Sequence, residues 1–316
     1  MKNLLDKHRP IFIVGMERSG TTLMSSLLSA HPSIAICPQT KFMVIWKNKY
    51  PGLDIRNTEN FQVFWHEFTK GQFSFAGISA EKTLERILAM GEVSYQTIYT
   101  GVLQEYAQSK GKIRWGDKIS VSNSQYMNLL LEWYPQARII WMLRDPRAVI
   151  ASVLSTPWGK MRSIENCTIA WKKNIHNLIE WRKDERILVI PYEEIVINTE
   201  NILQKISNFI EEKYTVKMIN NRSEKNMPII NRDQWGTSHL KSVLRPISDE
   251  SISKWKSILS KNQVSEIEIL AYQEMSNFGY ALTTSKLERT LFTGQIFLKK
   301  LLSTMTSSQP NNKINI

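Results

Sequence analysis

The stretch Ile11-Phe12-Ile13-Val14-Gly15-Met16-Glu17-Arg18-Ser19-Gly20-Thr21-Thr22-Leu23-Met24 decides how this chain folds. Four apolar residues enter a turn with glycines at 15 and 20, and the chain then opens into Leu23-Met24-Ser25-Ser26-Leu27-Leu28. Strand, glycine-rich turn and helix in that order are the setting a phosphate-binding loop requires. Gly15 and Gly20 let the backbone turn tightly, and the first N–H groups of a helix lack intrahelical partners, so they face an anion. Thr21 and Thr22 add hydroxyl donors. An enzyme of nucleoside triphosphates would carry lysine at position 21 and hold Mg²⁺ on the hydroxyl that follows. Here the cation comes earlier, at Arg18, which suits a donor less charged than a triphosphate and without a metal requirement. The alternative is an ordinary glycine turn, which the strand and helix on either side disfavour.

Composition narrows the classes. The chain has 316 residues, 22% charged and 42% hydrophobic, the mix of a globular protein. We expect one principal domain over 1–283. The net charge of +12 favours acidic partners. Lysine and arginine are spread along the chain, so most of that charge is expected to be solvated surface, and no nucleic-acid-binding motif is recognisable. Cys37, Cys167 and five scattered histidines lack metal-ligand spacing, so no metal site is expected. Two cysteines demand no disulfide, and a reducing compartment is the simpler inference. The polar Met1 to Arg9 is unlike a secretory signal, and no run of eighteen apolar residues occurs. The expectation is a cytoplasmic protein without a membrane span.

Further strands are expected at Ser33–Cys37, Ile113–Trp115, Arg138–Leu143 and Ile187–Ile190, with helices between them. This alternation predicts an α/β fold: a central parallel sheet with helices on both faces. Three polar motifs, at 15–22, 116–118 and 144–152, are each expected to follow a strand directly, which collects them at the carboxyl edge of the sheet where ligands bind. Residues 41–110 form a largely helical insertion rich in aromatics, among them Trp46, Phe61, Phe64, Trp65, Phe68, Phe73 and Phe75. Core packing is the expected fate of most of them. A long amphipathic helix is expected around Ile164 to Leu178, and helices at about 200–211 and between 249 and 277. At the C-terminus, 284–303 reads as a basic amphipathic helix suited to a membrane surface or a second subunit, and 304–316 as a disordered tail.

The motif Arg144-Asp145-Pro146-Arg147-Ala148-Val149-Ile150-Ala151-Ser152 names a family. An arginine followed eight residues later by a serine resembles the 3′-phosphate site of sulfotransferases, and Arg18-Ser19-Gly20-Thr21-Thr22 resembles their 5′-phosphosulfate loop. Ala30-His31-Pro32, Asp117-Lys118, Tyr192-Glu193, Arg245-Pro246 and Ser253-Lys254-Trp255 extend the likeness to tyrosylprotein sulfotransferases and their bacterial relatives, over about residues 10 to 282. The resemblance implies transfer of a sulfuryl group from 3′-phosphoadenosine 5′-phosphosulfate to a hydroxyl of a protein tyrosine, carbohydrate, lipid or small metabolite, leaving adenosine 3′,5′-bisphosphate. It implies that Lys118 assists the transferring group, that Tyr192 lies by the nucleotide and that Arg245 reaches a phosphate. The aromatics of the insertion 41–110 that are not core are candidates to line an acceptor pocket.

Two positions depart from the family. Its catalytic base is a glutamate twenty-one residues after the loop arginine, and this chain has Gln39 there; an amide cannot take a proton from a hydroxyl at useful pKa. Thr156 stands where the tyrosylprotein branch has an arginine. By residue type the other base candidates are His31, His66, Glu67, Asp117 and His239. His31 reads as a helix-end residue before Pro32, Asp117 is expected to be weakly basic beside Lys118, and His239 lies where relatives contribute a serine-containing loop. Other readings are a nucleotide-binding protein without turnover, which Gln39 keeps open, and a kinase, which lacks its lysine at Thr21.

Overall fold

The computed structural model describes residues 9–38, 40–50, 52–70, 77–119, 124–223, 241, 243–291 and 294. β1 (Ile11–Gly15) is apolar and buried along its whole length, the pattern of a strand covered on both faces. It leads to α1 (Thr21–Ser29) and β2 (Ile34–Cys37). A π-helical stretch over Phe42–Lys47 follows, then α2 (Thr58–Lys70), α3 (Ala80–Ala89) and α4 (Tyr95–Ser109). β3 (Arg114–Ile119), α5 (Ser124–Trp133), β4 (Arg138–Leu143), α6 (Pro146–Leu154), α7 (Ile164–Trp181) and β5 (Ile187–Pro191) continue the alternation. After these come α8 (Tyr192–Ile197), α9 (Thr199–Ile210) and α10 (Lys217–Asn220), then α11 (Glu250–Ser253), α12 (Trp255–Ile258), α13 (Lys261–Leu270) and α14 (Tyr272–Asn277).

All strands pair in parallel, in the order β2-β3-β1-β4-β5. The chain leaves the central β1 toward β2 on one side, while β4 and β5 lie on the other. The carboxyl end of β1 is therefore the switch point where ligands enter such sheets. Side-chain alternation divides the two faces. Ile11 and Ile13 pack with Leu23, Met24 and Leu27 of α1. Phe12, between them, meets Tyr99 of α4 and Tyr134 at ring-centroid distances of 6.3 and 5.7 Å. Helices on both faces agree with the sequence expectation.

The chain divides into two compact units, Met1–Arg144 with Lys173–Ile252, and Asp145–Lys172 with Ser253–Ile316. The sheet belongs to the first. Its insertion contains α3 and α4 as expected, and also α2, which the sequence reading missed although Phe61, Phe64, Trp65 and Phe68 recur at helical spacing and three of them are buried. Phe42 packs on Phe64, Phe68, Tyr95 and Tyr99 with centroids 5.0 to 6.5 Å apart, so these aromatics are core, while Phe73 and Phe75 lie outside the described residues. In the second unit Asp145 caps α6, and Arg147 pairs with Asp145 and Glu268 while its guanidinium sits 4.4 Å over the Trp255 ring. Glu268 also accepts from the N–H and hydroxyl groups of Thr283 and Thr284. The expected helix at 284–303 is described over 286–291, with Leu287 and Leu291 exposed. Most of its remainder, and the tail 304–316, lie outside the described residues.

Candidate active site

Both glycines of the loop are dictated by what surrounds them. Gly15 has φ 146° and a Cβ there would lie 2.6 Å from the Met142 carbonyl oxygen. Gly20 has φ 91° and a Cβ would lie 2.4 Å from Cδ2 of Tyr192. Gly20 is the N-cap of α1 and offers no side-chain acceptor, which leaves the opening N–H groups of the helix able to bind an anion. Arg18 is held in a left-handed conformation, φ 69°, at a cost of about 1–2 kcal/mol. Its carbonyl accepts from Arg144 Nη1 at 2.9 Å, which fixes that turn.

Arg144 leaves β4 at the carboxyl end of the sheet and joins three parts of the first unit. Besides Arg18 it donates through Nη2 to the Ser251 carbonyl at 2.8 Å, and its guanidinium lies 4.0 Å from the centroid of the Tyr192 ring. The Tyr192 hydroxyl is 2.8 Å from Ser251 Oγ. Two cations thus converge on one loop. Burial pushes the Arg18 guanidinium below its usual pKa, and the Arg144 charge pushes the same way, opposed by Glu17 and Tyr192. An anion at this place relieves the repulsion.

β3 contributes the next cation. Sequence reading set Gly116-Asp117-Lys118 just after a strand; the strand in fact runs through them to Ile119, because Ile11 to Val14 of β1 pair with Gly116 to Ile119. Gly116 has no room for a side chain, since a Cβ would lie 1.9 Å from the Ile11 carbonyl oxygen. Lys118 Nζ lies 3.4 Å from Thr22 Oγ1, at the start of α1. Burial lowers the Lys118 amine to about 8; Asp117 opposes this, while Arg18 and Lys41 add to it.

Asp117 corrects another expectation. Lys118 does not hold its carboxyl at low basicity, because burial dominates and raises it to about 7. Alternation along β3 also sends it to the face opposite Lys118, where both its oxygens accept hydrogen bonds from Thr40 and Tyr99. His31 is structural, as expected: Nδ1 accepts from the Ser33 N–H at 3.1 Å and Nε2 lies 3.0 Å from the Lys213 carbonyl. The exposed Glu67 carboxylate is bonded to Lys49 and Tyr50, which hold it below its ordinary range. Gln39 and His239 lie outside the described residues.

Among the other expected site residues, Ser19 is buried in the loop and Thr21 and Thr22 are half-buried. Ser152 is in the last turn of α6, in the second unit. Asp145 pairs with Arg147. Arg245 is exposed, and its carbonyl accepts from Arg222 Nη2 at 2.9 Å, while Nη1 of the same guanidinium holds the Val243 carbonyl at 2.7 Å. Sequence reasoning missed Ser251, Arg222, Thr40 and Tyr99. Each acts by a long-range contact that no local spacing announces.

A parallel sheet with a lysine-free glycine loop at the carboxyl end of its central strand defines an α/β protein of the P-loop type. The chain belongs to the sulfotransferase family, whose model matches residues 10–215. It is 24% identical over 257 residues to the protein-tyrosine sulfotransferase of Drosophila melanogaster, covering 78% of this chain and 46% of that protein. With protein-tyrosine sulfotransferase A of Caenorhabditis elegans it shares 21% identity over 272 residues, 83% of this chain and 64% of the relative. The chain therefore spans about half to two thirds of the length of these curated relatives. Among solved structures, the sulfotransferase domain of the Synechococcus PCC 7002 olefin synthase has a TM-score of 0.61 at 19% identity, covering 88% of this chain and 98% of that one. That likeness is one of fold.

Proposed function

We propose that the chain transfers a sulfuryl group from 3′-phosphoadenosine 5′-phosphosulfate to a hydroxyl acceptor. The observation that carries this reading is Lys118, whose Nζ stands 3.4 Å from Thr22 Oγ1. It brings a cation to the cradle from β3 where a triphosphate enzyme would carry one in the loop itself. Among the described residues Lys118 has no ion-pair partner, and Arg18 and Arg144 converge nearby, so these residues fit a phosphosulfate.

Sulfuryl transfer, like phosphoryl transfer, is served mostly by positioning and charge stabilisation. When bound, the donor supplies an electrophilic sulfur and a 5′-phosphate leaving group. Arg18, the first N–H groups of α1 and Lys118 stabilise the charge that develops on the leaving oxygen. By the family resemblance Arg144 takes the 3′-phosphate, Tyr192 lies by the nucleotide and Arg245 reaches a phosphate. In this chain Arg144 also braces the loop, with Nη1 on the Arg18 carbonyl and Nη2 on the Ser251 carbonyl.

The acceptor we propose is a phenol. Gln39 is no base, so an acceptor hydroxyl that ionises readily needs least help, and a phenol, at about 10, is such a group. The names of the relatives support tyrosine as one such phenol. Thr156 speaks against carrying their protein acceptors over, because its buried hydroxyl bonds to the Val153 carbonyl at 2.7 Å in place of the branch's arginine.

The test uses radiolabelled donor with 4-nitrophenol as acceptor. Lys118→Ala is expected to lower transfer by about a hundred- to a thousandfold while adenosine 3′,5′-bisphosphate still binds. Undiminished turnover in that variant overturns the assignment. Bisphosphate binding without transfer by the wild-type protein favours a nucleotide-binding protein, and magnesium-dependent ATP hydrolysis favours a kinase.

A further inference from the structure

We propose that Asp117 is a positioning residue for the acceptor side of the site: its carboxylate latches the Thr40–Lys41 corner after β2, while its neighbour Lys118 serves the donor side. This rests on the sulfuryl-transfer reading above.

The latch follows from strand geometry. β3 lies between β2 and β1, with Asp117 in register with Cys37 on one side and Phe12 on the other. Successive residues of a strand face opposite ways. Lys118 reaches Thr22 on the α1 face, so Asp117 points to the face covered by α4, where it is 1% exposed. A carboxylate so placed needs donors at both oxygens. Oδ2 accepts from the Thr40 hydroxyl at 2.6 Å and the Tyr99 hydroxyl at 2.8 Å, and Oδ1 accepts from the Thr40 N–H at 3.3 Å.

Thr40 passes the restraint onward. Its Oγ1 also accepts from the Phe42 N–H at 3.2 Å, and the Phe42 ring stacks on Tyr99 with centroids 5.0 Å apart and planes 18° from parallel. Between two buried neighbours, Lys41 is exposed and has φ 53°. A left-handed lysine persists only where its surroundings over-determine it, and the Asp117 carboxylate bonds the residue before it. Cys37 and Thr40, on either side of position 39, are both tied to Asp117: the first by strand register, the second by hydrogen bonds. Position 39 is the one at which the family carries its base. By the family resemblance the Asp117-Lys118 dipeptide then serves both sides of the transfer, whose rate is sensitive to displacements of about 1 Å.

Thr40→Val keeps the shape of the side chain and removes its hydroxyl, and Thr40→Ser keeps the hydroxyl. Both are compared with wild type for transfer from labelled donor to 4-nitrophenol, and for adenosine 3′,5′-bisphosphate affinity by calorimetry. Thr40→Val is expected to lower kcat by about ten- to a hundredfold and to leave bisphosphate affinity within about twofold, because Thr40 bonds Asp117 and not Lys118, whose Nζ stays at Thr22. Thr40→Ser is expected to restore most of the rate. Wild-type kcat in Thr40→Val, or a parallel loss of nucleotide affinity, overturns the proposal. If wild-type protein binds the bisphosphate but transfers nothing, the sulfuryl-transfer reading fails on its own, and the latch is judged by hydrogen exchange at the Phe42 amide. Faster exchange in Thr40→Val upholds the latch, and equal rates overturn it.

Discussion

A side chain at position 20 would have to adopt φ 91° and displace the Tyr192 ring, 2.4 Å from its Cβ. Gly20→Ala is therefore expected to cost about 1–2 kcal/mol in backbone strain and, by moving Tyr192, to weaken bisphosphate binding as well. A thermal melt and a calorimetric titration check both, and a variant unchanged in both contradicts the packing of Tyr192 on the loop. Lys118 makes a prediction in pH. Burial lowers its amine from 10.5 to about 8, so between those values the folded protein holds fewer protons than the unfolded chain. Stability from this group therefore rises as pH rises through that window, the penalty on the buried cation being relieved. A bound phosphate favours the charged amine, so binding takes up a proton there. Bisphosphate affinity is expected to fall as pH rises above about 8 in wild type and to lose that component in Lys118→Ala. Identical pH profiles for the two proteins contradict a phosphate at Lys118.

At the scale of elements, β3 carries the most information. Asp117 is raised from 3.8 to about 7 by burial, against the hydrogen bonds of Thr40 and Tyr99 and the charge of Lys118. The titratable groups facing it are Tyr99 and Tyr106 of α4 and Cys37 of β2. The folded state binds this proton more tightly than the unfolded chain, so its contribution to stability falls as pH climbs from about 4 to about 7. Asp117→Asn removes that slope: relative to wild type, its melting temperature is expected to improve from pH 5 to pH 7.5. An unchanged difference contradicts the burial of an ionised carboxylate. Arg222 offers a second element-scale test, because its guanidinium holds the carbonyls of Val243 and Arg245. Arg222→Ala is expected to destabilise by about 1–3 kcal/mol in chemical denaturation, and an unchanged midpoint contradicts the clamp.

The strands and the glycine loop were legible because their signals are local: unbroken apolar runs, then glycines where the backbone needs positive φ. The same locality explains the misses. Asp117-Lys118 read as a loop motif because two charges in succession look like a strand's end, whereas parallel pairing with β1 extends β3 through them. Lys118, its neighbour in sequence, suggests weak basicity at Asp117, but burial beneath α4 outweighs that charge. The two carbonyls that Arg144 holds, of Arg18 and Ser251, are 126 and 107 residues away in the chain, and no spacing rule reaches that far.

For the whole molecule, the net charge of +12 is spread along the chain, yet Arg18, Arg144 and Lys118 are drawn to the carboxyl side of one sheet by the order β2-β3-β1-β4-β5. The proposed donor site rests on that arrangement more than on total charge. The most direct measurement is the affinity of the full chain for adenosine 3′,5′-bisphosphate against adenosine 5′-monophosphate in the same buffer. Charge-assisted bonds to the 3′-phosphate, at about 1.5–3 kcal/mol, lead to a preference of at least about tenfold for the bisphosphate, diminished in Arg144→Ala. Equal affinities for the two nucleotides would contradict a phosphosulfate-donor site.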